Sequence, residues 1–169
     1  MLIRFAIGTS MAIAPLLAHA FCFDEAAAKY AVDAKMLQAI ATVESKMTSG
    51  IVGPANKNGT YDIGMMQINS SWLPKLKQAG ISESQLKNDA CTNVHVGAWI
   101  LSESFKTYGK NWRAIGAYNA ISEDLRTIYA QKVYKAYYSL QAQDTTIAIK
   151  KPQHNGASRA INILFASND

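Results

Sequence analysis

Apolar and polar positions follow a helical period along most of the chain. Leu37, Ile40 and Ala41 occupy the i, i+3 and i+4 positions of one helix face, and Glu44 is the next member of that stripe. Asp33 is placed to cap this helix, and Asp24 to cap a shorter one through Tyr30. The pattern breaks at SGIVGPANKNGTYD, residues 49–62, where the Asn58-Gly59 turn signal predicts a small β-hairpin or ordered loop around residues 50–63. A short helix is expected from Ser70 or Ser71 to Gly80, and Ser82 with Gln85 forms a capping box for another. From Ala90 to Tyr108, Val94, Ala98, Leu101, Phe105 and Tyr108 keep helical spacing, with Gly109 as the stop. A short helix follows over Asn111–Asn119. The last, from about Ser122 to Leu140, is expected to bury Leu125, Tyr129, Val133, Ala136 and Leu140. The fold class is mainly α with a small β element.

The ends of the chain change this picture. Arg4, the apolar run Phe5 to Leu17 and Ala18-His19-Ala20 have the form of a cleavable secretory leader over residues 1–20, with cleavage near Ala20. The run is short for a membrane span and contains Pro15, so no stable membrane anchor is expected. That leaves one domain over residues 21–143 and a flexible tail over 144–169, where KKPQHNGAS loses the helical pattern. At 169 residues and 49% apolar composition, the chain can bury a real core. Export carries Cys22 and Cys91 into an oxidising compartment, and one disulfide between them is the simple expectation. The formal charge of +5 includes Arg4 of the leader. It is spread without a basic block, so nucleic acid is not an expected partner, while anionic envelope polymers are compatible.

The candidate chemistry rests on carboxylates. Neither metal nor cofactor is expected, because His19, His95 and His154 are scattered and no phosphate-cradling, dinucleotide or nucleophile-elbow motif is present. Glu44 is open to two readings. On a buried face, desolvation raises its pKa and leaves a proton to donate; if the helix frays after Val43, it is an ordinary solvated residue. In DIGMMQINSSWL, Asp62 precedes a Gly64 turn, and the amides of Gln67 and Asn69 suit sugar hydroxyl and acetamido groups. Tyr118 and Asn119 end a helix and could reach a cleft. Trp72, Trp99 and Trp112 are expected in the buried core, and the tyrosines at 129, 134, 137 and 138 as core and rim residues, rather than as sugar platforms.

In this order and spacing the motifs resemble the lytic transglycosylases of the lysozyme-like superfamily. Glu44-Ser45 matches the family's E-S pair, Gly64-Met65-Met66-Gln67 its G-L-M-Q motif and Ala117-Tyr118-Asn119 its A-Y-N motif, over roughly Phe23 to Ala120. Met65 stands where leucine is usual. Compactness and the two cysteines make the chain most similar to small transglycosylases encoded with conjugation and type III or type IV secretion systems. The resemblance implies a lysozyme-like fold acting on peptidoglycan glycan strands, with components of such an apparatus as partners. Glu44 would be acid and then base in cleaving between N-acetylmuramic acid and N-acetylglucosamine, leaving 1,6-anhydromuramyl ends. Ser45, Asp62, Met66, Gln67, Tyr118 and Asn119 would hold substrate or the acid. DIGMMQINS is also similar to a stretch of animal-type lysozymes in which the position of Asp62 is the second carboxylate, so hydrolysis with Asp62 assisting stays open. A non-catalytic murein-binding assembly factor is the alternative from another class.

Overall fold

The computed structural model describes residues 14–150. The expected leader lies outside them as far as Ile13, and the expected tail lies outside them from residue 151 onward. Helix α1 spans Ala14–Tyr30 and α2 spans Ala34–Ser45. Asp24 starts no helix: it lies inside α1, which is already formed ten residues before it. Asp33 does cap α2, its carboxylate accepting from the Met36 amide at 2.7 Å. The stripe Leu37, Ile40 and Ala41 is fully buried, each large aliphatic worth roughly 1.5–3 kcal/mol relative to exposure. The helix does not fray at Val43. It runs to Ser45 and stops at Lys46, whose left-handed φ of 54° ends the hydrogen-bond ladder, so Glu44 stands in the last ordered turn.

The β element falls slightly later than expected. Residues 50–61 form a loop closed by the Asn56–Gly59 turn, and only Val52 bridges to Ile63. The two-stranded antiparallel ladder pairs β1 (Asp62–Ile63) with β2 (Ile68–Asn69) around the turn GMMQ. Gly64 makes that turn possible. Its φ is +75°, and a Cβ there would lie 2.3 Å from Asn93 Nδ2. Asn93 is buried and uses its whole amide: Nδ2 donates to the Ile63 and Leu86 carbonyls at 2.9 Å each, and Oδ1 accepts from the Met66 amide at 2.7 Å. The turn is thus pinned to the helix beneath it.

After a 3-10 turn at Ser70–Trp72 come α3 (Leu73–Gln78) and α4 (Glu83–Asn88), the latter with its Ser82/Gln85 capping box in place. Helix α5 (Ala90–Tyr108) is the central element and ends at Gly109 as its spacing predicts. Its Gly97 lets Met66 pack directly on the helix backbone, since a Cβ there would sit 2.8 Å from the Met66 methyl. Helices α6 (Trp112–Ala117) and α7 (Glu123–Lys150) complete the described residues, with α7 packed across α2 and α6. A disulfide joins Cys22 of α1 to Cys91 at the start of α5.

Three expectations about α7 and the aromatic residues change. The helix continues ten residues past Leu140 to Lys150, and the Lys35–Asp144 ion pair at 2.6 Å ties this extension to α2. Tyr129 and Val133 are buried, but Leu125 is 57% exposed because the first turns of α7 pass over a cleft rather than over the core. Trp72 and Trp99 pack edge to face at 5.2 Å in half-buried positions, and Trp112 is exposed, so no tryptophan belongs to the fully buried core. No described helix is long and apolar enough to cross a membrane.

Candidate active site

Glu44 is brought to the surface of the core by the periodicity that buries Leu37, Ile40 and Ala41. Two residues of other elements reach its Oε1. The Tyr129 hydroxyl of α7 donates at 2.5 Å, and the Asn119 side-chain amide, just past α6, donates at 3.4 Å. Burial is the largest influence on the carboxyl and pushes its pKa up to about 7 from an ordinary 4.5. The Tyr129 hydrogen bond works against burial, Asp62's charge adds to it, and Asn119 and Lys132 pull back down. Burial also raises Tyr129 well above the usual phenol range, so that its hydroxyl keeps its proton and serves as a donor. A carboxyl balanced in this way is populated in both protonation states near neutral pH, which suits a group that must give a proton and then take one.

The two residues that hold Glu44 line a cleft in two parts. One part, a cavity of about 460 Å³, is lined by the loop residues Asn56, Asn58 and Thr60, by Asp62, Gln67 and Asn69 of the hairpin, and by Tyr118 and Asn119. The other, about 520 Å³, is walled by Leu125, Ile128, Tyr129 and Lys132 of α7. Asn119 and Ile121 line both. The first wall is rich in amides and hydroxyls that can donate and accept, and the second is mostly apolar with one cation. A long, polar polymer with flat apolar faces fits such a cleft better than a small apolar ligand does.

The predicted residues take different places. Asp62 lies in the first wall, where its Oδ1 accepts from Asn69 Nδ2 at 2.9 Å and its Oδ2 from Asn56 Nδ2 at 3.5 Å. Gln67 has a left-handed φ of 46° and folds its amide back to the Gly64 carbonyl at 2.8 Å, closing the turn while lining the cleft. Tyr118 donates to the Met66 carbonyl at 3.0 Å and stacks on Tyr129 at 6.5 Å, so it joins the hairpin turn to α7, whose Tyr129 bonds Glu44. Ser45 does not hold Glu44. Its hydroxyl donates to the Ala41 carbonyl and accepts from the Thr48 amide, securing the chain as it leaves α2. Met66 does not line the cleft either; its side chain is fully buried against Gly97, and only its carbonyl takes part.

Two residues escaped the sequence reading. Tyr129 was expected in the core, with nothing to mark it as the partner of Glu44. Asn93 carried the same signal as Glu44, a polar group set among apolar neighbours on a helix, beside Val94 and Val96.

Comparison with known proteins places the chain in a family. The family model of the transglycosylase SLT domain matches residues 21–141. Invasion protein IagB of Salmonella typhimurium (strain SL1344) is 44% identical over 128 residues, covering 73% of this chain and 79% of that protein. Protein IpgF of Shigella flexneri is 37% identical over 133 residues, 76% of this chain and 87% of its own. A peptidoglycan-binding-like protein of Escherichia coli O157:H7 is 33% identical over 144 residues, 79% and 86%. The chain belongs to the transglycosylase SLT family, of the lysozyme-like superfamily.

Proposed function

We propose that this protein is a peptidoglycan lytic transglycosylase. It cleaves the β-1,4 bond between N-acetylmuramic acid and N-acetylglucosamine and leaves 1,6-anhydromuramyl ends. The observation that carries this reading is Glu44, a carboxyl with a pKa of about 7 held by Tyr129 and Asn119 at the edge of an amide-lined cleft. Protonated Glu44 gives its proton to the glycosidic oxygen as the C1–O bond breaks. Its carboxylate then takes the proton of the muramyl C6 hydroxyl as that oxygen closes on C1. The proton lost in the first step is regained in the second, and no water enters the product. The substrate's own acetamido group assists at C1, so a protein nucleophile is not needed, an exception to the two-carboxylate scheme.

Asn119 and Tyr129 orient the acid, and Tyr118 and Gln67 keep the hairpin turn in register with it. The amides of Asn56, Asn58 and Asn69 offer partners for sugar hydroxyls. The peptidoglycan-binding-like relative supports the choice of polymer. The relative named an invasion protein favours a task tied to dedicated machinery, which we read as local opening of the wall in the periplasm for a conjugation or secretion apparatus.

Asp62 favours a second reading. Its charge acts on Glu44 across the same cleft, where it could stabilise an oxocarbenium-like centre while water completes a lysozyme-type hydrolysis. Clearing of purified murein by the wild type and by Glu44→Gln tests what both readings share. The variant should fold and clear nothing. Full activity in a folded Gln variant would overturn both.

A further inference from the structure

On the side of α7 turned away from the cleft lies a cluster of exposed aromatic rings. Leu125 and Tyr134 are nine residues apart, which at about 100° per residue places them on opposite faces of the helix. On the far face Trp112, at 37% exposure, packs on Tyr134 with ring centres 5.2 Å apart. Tyr134 in turn packs on Tyr138 at 4.4 Å, and both tyrosines are 47% exposed. The rings therefore form a row along α7, with one turn, or about 6 Å, between the two tyrosine positions. Beside the row is a cavity of about 390 Å³ whose polar lining includes Arg113, Glu123, Arg126 and Gln131. Arg113 and Arg126 share the single carboxylate of Glu123, at 2.7 and 2.8 Å, and this trio carries one net positive charge.

We propose that this face is a second glycan-binding surface, taking a strand of β-1,4-linked amino sugars outside the catalytic cleft. The proposal rests on the reading of the substrate as peptidoglycan. Flat rings suit the apolar faces of sugars, and their exposure at this site is the reverse of what a core role would give. Gln131 and Arg113 sit at the rim of the rings, where hydroxyl, acetamido and lactyl carboxylate groups of a bound strand would fall. The net positive charge of the trio complements the acidic muramyl residues. The exposed aliphatic residues Leu125 and Ile128 belong to the cleft side of α7, while Trp112 also borders a second cavity of about 500 Å³ lined by Val32, Met36, Phe105 and Ile115, so the aromatic row continues past α6. A second grip on the polymer would hold the enzyme on murein between cuts, because rebinding at the cleft becomes intramolecular.

The test uses the full chain with Glu44→Gln, so that glycan is bound without being consumed. A soluble tetrasaccharide of alternating N-acetylglucosamine and N-acetylmuramic acid is titrated while the Trp112 indole N–H resonance, assigned by Trp112→Phe, and the Asn119 side-chain amide are followed by NMR. Both should shift, each with its own saturation curve. In parallel, addition of Trp112→Ala and Tyr134→Ala should weaken co-sedimentation with insoluble murein by about tenfold. A shift at Asn119 with none at Trp112 would overturn the second surface and leave the catalytic reading standing. Silence at both would remove the glycan reading itself. Unchanged co-sedimentation of the folded double variant would also overturn the proposal, as it would if the aromatic face bound a protein instead.

Discussion

Replacing Glu44 by glutamine should stabilise the protein, and by an amount that depends on pH. Glu44 holds its proton more tightly in the folded chain than in the unfolded one, its pKa rising from 4.5 to about 7. The stability linked to that proton is complete below pH 4.5 and declines as pH rises. It is gone above about 7. At about 1.36 kcal/mol per pH unit, the full span is worth roughly 3 kcal/mol. Glutamine has nearly the same shape, can still accept the Tyr129 hydroxyl and does not titrate. Wild type and Glu44→Gln should therefore unfold at similar urea concentrations at pH 4, to within about one hydrogen bond, about 1 kcal/mol. At pH 8 the variant should be the more stable by roughly 3 kcal/mol. The assay is urea denaturation at pH 4, 6 and 8 with the disulfide intact. A gap that stays constant with pH, or a variant less stable at pH 8, would refute the claim that the fold keeps this carboxyl in a costly environment.

The remaining predictions concern the parts that hold Glu44 in place. Tyr129→Phe removes a donor to the charged carboxylate, worth about 1.5–3 kcal/mol, so the pKa of Glu44 should climb a further one to two pH units. The alkaline limb of kcat/KM on a soluble glycan should follow it upward, and an unmoved limb would sink the assignment of Tyr129. Asn93→Leu leaves the Met66 amide and the Ile63 and Leu86 carbonyls without their partner, and should cost at least about 3 kcal/mol in urea unfolding. A loss below 1 kcal/mol would mean that the turn does not depend on this residue. Replacing Cys22 and Cys91 together by serine opens a link across 69 residues and should lower stability by roughly 4 kcal/mol. A change near zero would show that α1 is held by packing alone.

Features set by neighbours in sequence were legible in advance. Asp33, the Ser82/Gln85 box and the Gly109 stop act within one helical turn, so the residues that predict them are the residues that make them. Glu44 was legible as an oddity in an apolar stripe, but its use depended on partners that the stripe does not name. Tyr129 lies 85 residues away and meets Glu44 only because α7 crosses α2. Leu125 has core periodicity, yet it sits where that crossing leaves a cleft beneath the helix. Met66 follows the same logic in reverse: the motif placed it beside functional residues, and Gly97 gave its side chain room to turn inward. Trp112 and Tyr134 read as core by residue type, because nothing local tells a buried aromatic stripe from a displayed one.

In the proposed reaction Glu44 first protonates the glycosidic oxygen and then takes the proton of the muramyl C6 hydroxyl as that oxygen bonds to C1. The most direct measurement is mass spectrometry of sugar ends released from purified murein by the wild type, with Glu44→Gln as control. The proposed reaction gives 1,6-anhydromuramyl ends with the wild type and none with the variant. Reducing muramic acid ends from the wild type would contradict it and assign the second step to water, with Asp62 as the assisting carboxylate.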